Sequence, residues 1–279
     1  MYSFNLRFPN GKSRAMTFSY DDGIPADLRL VELLNKYGVK CTFNINTAFY
    51  DNGKEPDNRL KKSQIKEIAE NPLCEIACHG HTHPYYNALP MATVTNDIIV
   101  NRKNSEAITD KIVRGFAYPY GPFNETSEAA LKAANIVYAR TTKSTKAFDL
   151  PENWLQWHPT CHHRNCLELF NEFIQGDDKK WHAPKLMYVW GHTYEFDNNN
   201  NWELIEELLE KATKEEDIWF ATNMEIVEYV EAFKELVFSA DGNTIYNPTR
   251  FDFWALCNAN WQPGSGRIIK IPAGEVTRV

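Results

Sequence analysis

Arg14-Ala-Met-Thr-Phe-Ser-Tyr-Asp-Asp-Gly23 is an apolar run that closes on two adjacent carboxylates, Asp21 and Asp22. Side by side at the mouth of a strand, two carboxylates repel each other. They are tolerated where a cation or a shared proton lies between them. Gly23 and Pro25 break the strand before a helix begins. Taken alone, the pair also reads as a solvated turn with a helix N-cap. A second cluster weighs against that reading. Glu75-Ile-Ala-Cys-His79-Gly-His81-Thr-His83-Pro84 also follows a short apolar strand, and its outer histidines are four residues apart. Together the two stretches offer one aspartate and two histidines to a metal, with coordination positions left for water and substrate.

Outward from Gly23, residues 26–37 place Leu28, Leu30, Val31, Leu33 and Leu34 on a helical face that Gly38 ends. Strands are expected at 39–46, 74–78, 112–118, 136–141, 185–190 and 218–221. Helices are expected at 61–70, 92–107, 125–134, 166–175, 202–211 and 224–236, with Asn124 capping the third of these. The polar segment 51–58 reads as a loop, and so does Asn198-Asn-Asn-Asn201. The segment 142–164 is long, irregular and rich in Trp and His. Strands alternating with helices imply a parallel sheet. The expectation is an α/β fold, a distorted (β/α) barrel over residues 1–236, with the chemistry at the C-terminal strand ends. Residues 237–246 carry a hairpin signal around Asp241-Gly-Asn243, so 237–279 is expected to be a small β appendage packed on the barrel. Its Tyr246, Phe251, Phe253, Trp254 and Trp261 either stack on sugars or fill the appendage's own core.

Composition narrows the function. A chain of 279 residues, 43% apolar, suffices for a large core. The net charge of −7 and the lack of a basic stripe argue against nucleic acid. No stretch approaches the roughly 18 apolar residues of a membrane span. The start lacks a secretory h-region, and the six cysteines show no framework spacing, so a cytoplasmic protein with reduced thiols is expected. Oligomeric state is left open.

Tyr20-Asp21-Asp22-Gly23 resembles the first motif of the NodB-type polysaccharide deacetylases, carbohydrate esterase family four. His79-x-x-x-His83-Pro84 resembles the second, Phe116-Ala-Tyr-Pro-Tyr120-Gly121 the third, and Met187-Tyr-Val-Trp-Gly-His192 the fifth. In the motif order of that family, the resemblance runs from about residue 12 to 235. Asp21, Asp22, His79, His83, Tyr120 and His192 all fall at expected strand ends.

The resemblance implies a hydrolase that removes N-acetyl or O-acetyl groups from a carbohydrate or a small N-acylated substrate. Asp22, His79 and His83 would hold one divalent ion, zinc before Co2+, Ni2+ or Mn2+. Water on that ion would attack the acetyl carbonyl with Asp21 as general base, and His192 would protonate the leaving amine. The backbone N–H of Tyr120 would meet the developing oxyanion. Asp21 as a second carboxylate ligand is the rival reading.

The sequence departs from the family at Ala117, where an arginine often pairs with the base. Arg114 falls on the other side of its strand, so Arg140 either orients Asp21 or forms a structural ion pair. No clean match to the fourth motif appears. Asp149 and Glu152 lie near the stretch Asn153-Trp-Leu-Gln-Trp157 where that motif would supply a carboxylate for His192, and neither matches it. His81 reads as a rim residue or a third ligand. The cluster His158-Pro-Thr-Cys161-His162-His163-Arg-Asn-Cys166 reads as a pocket wall, a second metal site or plain structure. Two alternatives to deacetylation stand: hydrolysis of another C–N bond, such as a cyclic imide or ureide, and an inactive carbohydrate-binding relative.

Overall fold

The structure, a computed structural model, describes residues 2–50, 56–175, 183–259 and 266–279. Part of the 51–58 loop and Trp261 lie outside these residues. The chain opens with β1 (Tyr2–Arg7) and then alternates: β2 (Arg14–Asp21), α1 (Asp27–Tyr37), β3 (Cys41–Ile45), α2 (Lys62–Glu70), β4 (Cys74–Cys78). Next come α3 (Met91–Thr109), β5 (Gly115–Ala117), α4 (Glu125–Ala133), β6 (Tyr138–Arg140) and β7 (Cys161–His162). After α5 (Cys166–Gln175) follow β8 (Lys185–Gly191), α6 (Tyr194–Asn199), α7 (Glu203–Ala212), β9 (Ile218–Phe220) and α8 (Asn223–Phe233). The C-terminal segment holds β10 (Val237–Phe238), β11 (Thr244–Tyr246), β12 (Phe253–Ala259), β13 (Arg267–Ile271) and β14 (Val276–Arg278).

Seven parallel strands in the order β6-β5-β4-β3-β2-β8-β7, with β9 as the eighth, give the expected α/β barrel the form of a half-barrel. β9 pairs with β2 at residues 14–16, below the stretch 19–21 that β3 occupies. The sheet is open between β6 and β7. The irregular chain after β6 crosses that gap, with Trp157 N–H bonded to Ala139 O at 3.0 Å and Thr141 N–H to Trp157 O at 3.0 Å.

Period two explains what each face of β2 does. Met16, Phe18 and Tyr20 enter the apolar layer beneath α1, α2, α5 and α7. Thr17, Ser19 and Asp21 face the barrel interior, which is polar. Thr17 Oγ1 bonds to Asn223 Oδ1 at 2.8 Å, and Asn44 Nδ2 donates to Ser19 Oγ at 2.7 Å. Glu75 accepts from Thr42 Oγ1 at 2.9 Å and Tyr138 OH at 2.7 Å. A buried polar column stays stable only when its members are paired, so this interior leads ordered side chains up to the strand ends.

Three elements differ from the sequence reading. Asn198 and Asn199 end a helix, α6, instead of starting a loop. Within 142–164 a short strand, β7, extends the sheet. The hairpin of β10 and β11 forms and is joined by β14, but β12 lies between β13 and β1. The larger sheet of the C-terminal segment thus takes one strand from the other end of the chain. Phe253 is fully buried and packs on Tyr229 and Phe233 of α8 at centroid distances of 5.0 and 5.5 Å, so it fills the core. No helix among the described residues is long and apolar enough to cross a membrane. All six cysteines are buried and unpaired.

Candidate active site

β2 delivers Asp21 into the barrel mouth, 2% exposed. Arg140, from the end of β6, donates through Nη2 to both carboxylate oxygens, at 2.7 and 2.5 Å, and Asn44 Nδ2 donates to Oδ1 at 2.8 Å. The Arg140 guanidinium lies over the Trp190 ring, 4.5 Å from its centroid. Burial pushes the Asp21 pKa up, but Arg140, His79, His192 and the Asn44 hydrogen bond outweigh it and hold the carboxylate ionised. Arg114, by contrast, is spent on Asn135 at the surface.

Asp22 is where the chain leaves the strand, with φ 81°. The turn stops its side chain from alternating into the helix layer. Its N–H is tied to Asn44 O at 3.0 Å. His79 follows β4, and its Nδ1–H donates to Ala117 O at 2.8 Å, which leaves the Nε2 lone pair facing outward. His83 arrives through a turn with φ 56°. Asp97 of α3 organises that turn. It accepts from His81 N–H (2.8 Å), Thr82 N–H (3.0 Å), Thr82 Oγ1 (2.7 Å) and Tyr86 OH (2.5 Å). His81 turns away to Thr47 Oγ1 at 2.9 Å.

The three side chains suit a small cation. His79 Nε2 and His83 Nε2 are 3.2 Å apart, and each is 3.8 Å from Asp22 Oδ1. Tetrahedral ligands at roughly 2.0–2.2 Å are themselves separated by roughly 3.3–3.6 Å. Burial and His79 push the His83 pKa down to about 4 against the pull of Asp22, which keeps its ring neutral and able to ligate. The His79 lone pair, 3.2 Å from His83 Nε2, is met either by a proton on that nitrogen or by a cation that both rings ligate.

Tyr120 also has left-handed backbone, φ 62°. Its half-exposed ring meets His83 edge-on at 4.5 Å and stacks on Tyr85 at 4.0 Å. Asp22, His83 and Tyr120 are three of eight non-glycine residues with positive φ among those described, and all three surround the same opening. Such strain persists only where the surrounding structure enforces it, and it clusters at functional sites.

His192 follows β8, with Nε2 4.0 Å from Asp21 Oδ2. Its partner is neither Asp149 nor Glu152 but Glu195, whose Oε1 takes the Nδ1 hydrogen bond at 2.8 Å. Burial lowers the His192 pKa, yet the Glu195 hydrogen bond and the charges of Asp21 and Asp22 overcome it and raise the value. The sequence signal was present: a histidine at a strand end, with a glutamate three residues on in the first turn of a helix. The cluster 158–166 disperses. His158 Nδ1 meets Thr141 Oγ1 at 2.6 Å, and burial raises the Cys166 thiol to about 12. His162 and His163 turn toward Glu195.

Replacing Arg140 with methionine is expected to cost about 3–5 kcal/mol, because it leaves the Asp21 carboxylate buried without its guanidinium partner. The sign of the pH dependence should also invert. In the native protein the lowered Asp21 pKa stabilises the fold above the ordinary carboxylate value, and that stability is lost as pH falls through the folded value. In the variant burial dominates and the folded pKa exceeds the unfolded one, so stability should drop as pH rises from about 4. Denaturant unfolding of chelator-treated protein across this range measures both effects.

The sequence model for polysaccharide deacetylases matches residues 9–139, which include the Asp21-Asp22, His79-His83 and Tyr120 segments. Over this stretch the chain is similar to the polysaccharide deacetylases. Among solved structures, the chain is similar to a polysaccharide-deacetylase-like protein from Mycobacterium smegmatis, with 16% identity, TM-score 0.63, 83% of this chain and 95% of that one covered. It is also similar to PuuE allantoinase, with 12% identity, TM-score 0.64, and 81% and 92% covered. A family 4 acetyl xylan esterase from Clostridium thermocellum, solved with a cobalt ion, aligns at 13% identity and TM-score 0.55, with 77% and 91% covered. At these identities the likeness is one of fold. No curated protein sequence matches the chain.

Proposed function

We propose that the protein is a metal-dependent deacetylase that removes acetyl groups from an acetylated carbohydrate. The observation that carries this reading is the triangle of Asp22, His79 and His83, with Asp21 on one side and His192 on the other. Zinc is the ion proposed, ahead of cobalt, nickel and manganese, because a two-histidine, one-carboxylate set with open positions is a catalytic zinc pattern. When bound, such an ion supplies Lewis acidity and brings the pKa of a water from 15.7 toward ~7.

The chain's own residues do the rest. Asp21, held ionised by Arg140, accepts the proton of the attacking water. The Tyr120 N–H is the proposed donor to the oxyanion that develops on the acetyl carbonyl. His192, kept protonated by Glu195 and the two aspartates, passes its Nε2 proton to the departing amine or alkoxide. Asp97 has no contact with substrate in this scheme. It holds the 81–86 turn that presents His83.

The test is metal analysis of purified protein, with acetate release measured on acetylated chitooligosaccharides and xylooligosaccharides. One divalent ion per chain and stoichiometric acetate are expected. Ring opening of a cyclic ureide or imide without acetate release would move the activity to another C–N bond. An ion-free protein that binds sugar without turnover would leave only a binding role.

A further inference from the structure

Glu195 receives more imidazole than a base-and-acid pair requires. Beyond His192, His162 Nε2 lies 3.3 Å from Oε1 and 3.2 Å from Oε2, and His163 Nε2 lies 3.3 Å from Oε2. Adjacent residues on a strand point to opposite faces. Here β7 ends at His162 and a 3-10 turn begins at His163, so both rings fall on one side. His163 is 2% exposed, stacked on Phe196 at 4.2 Å. It fits because residue 191 is glycine: a Cβ there would lie 2.2 Å from His163 Nδ1.

Two uses suit such a cluster. The ligand atoms of His162, His163 and Glu195 lie within 4.8 Å of one another, close enough for a second cation. Hydrogen bonding at His162 argues otherwise. Its Nδ1 accepts from Arg164 N–H at 3.3 Å and from Arg164 Nε–H at 3.1 Å. A neutral ring that accepts at Nδ1 carries its proton on Nε2, where a metal would need the lone pair. Ligation through Nε2 would instead turn an Nδ1–H toward two N–H donors. Burial also disfavours the charged form of His163, so it serves as a neutral donor.

We propose that His162 and His163 are positioning residues whose Nε2–H groups clamp Glu195, so that its carboxylate holds His192 with Nδ1 protonated and Nε2 turned toward Asp21. This rests on the role given to His192 above. An ionised carboxylate only accepts, so three N–H donors satisfy it and leave one side-chain geometry. Without the clamp, a glutamate in the first turn of a six-residue helix regains its rotamers, and His192 loses its fixed tautomer.

The experiment is nitrogen-15 NMR of histidine-labelled, zinc-loaded protein, recorded at a pH high enough to leave the His192 ring neutral and run beside acetate-release kinetics. The wild type should show His162 protonated on Nε2 and His192 on Nδ1. His162→Ala combined with His163→Ala should give a mixture of His192 tautomers. It should also lower kcat roughly tenfold with KM unchanged, a fraction of the roughly 10²–10⁴-fold a general acid contributes. His162→Gln with His163 intact keeps an N–H donor and should retain most of the kcat. The wild-type spectrum needs no variant: His162 protonated on Nδ1 would overturn the proposal. So would two zinc equivalents per chain falling to one in His163→Ala, or an unchanged His192 tautomer in the double variant. Should no acetylated substrate turn over, the deacetylase reading fails, while the tautomers still decide the clamp.

Discussion

Replacing His79 with alanine is expected to strip the divalent ion from the protein and to abolish turnover. The imidazole is buried and already oriented by its bond to Ala117 O, so its Nε2 has nowhere else to point. Removing it leaves Asp22 and His83, two donors 3.8 Å apart, where a stable catalytic zinc needs three. The freed Ala117 carbonyl and the cavity add about 1–3 kcal/mol of instability. A circular-dichroism melt should show a folded protein with a lower midpoint. Elemental analysis should fall from about one ion per chain to a small fraction of that. A variant that kept its ion would remove His79 from the ligand set.

Asp21→Asn separates proton transfer from ion binding. The substitution preserves shape and leaves Asp22, His79 and His83 in place. The amide oxygen can still accept from Arg140 and Asn44, although one oxygen that Arg140 now bridges is lost. Ion content should therefore hold while kcat drops roughly 10²–10⁴-fold, the usual share of general-base catalysis. Loss of the ion would make Asp21 a ligand. Full activity with the ion retained would make it a bystander to the chemistry.

The parts of the site that the sequence revealed are those set by local rules. Asp21-Asp22 and His79-x-x-x-His83 each sit just after an apolar strand, and parallel α/β sheets gather such ends on one face. Strand parity set Arg114 aside and left Arg140, and the two residues do point apart. The partner of His192 is not in the segment before β7, where Asp149 and Glu152 lie. It lies three residues downstream because α6 starts at once after β8, in a stretch whose asparagines suggested a loop. Asp97 was hidden for a similar reason. It sits among the apolar positions of α3 and is recognisable only once the 81–86 turn is folded over it. His162 and His163 read as a metal-like run because sequence spacing does not show where a strand stops alternating. The pairing of β1 with β12 leaves no local trace at all.

That pairing sets an order of events during synthesis. β1 runs antiparallel to β12, from Tyr2 opposite Ala259 to Arg7 opposite Trp254. A ribosome adding roughly 5–20 residues per second leaves the leading strand without its partner for roughly 12–50 seconds. Every strand of the parallel sheet has emerged by then, so that sheet can form while β1 waits. Leu6 and Phe8, buried in the finished protein, have no final cover in that interval. A chain released before residue 253 would carry a complete parallel sheet and an open leading strand, the kind of edge on which chains stick to one another.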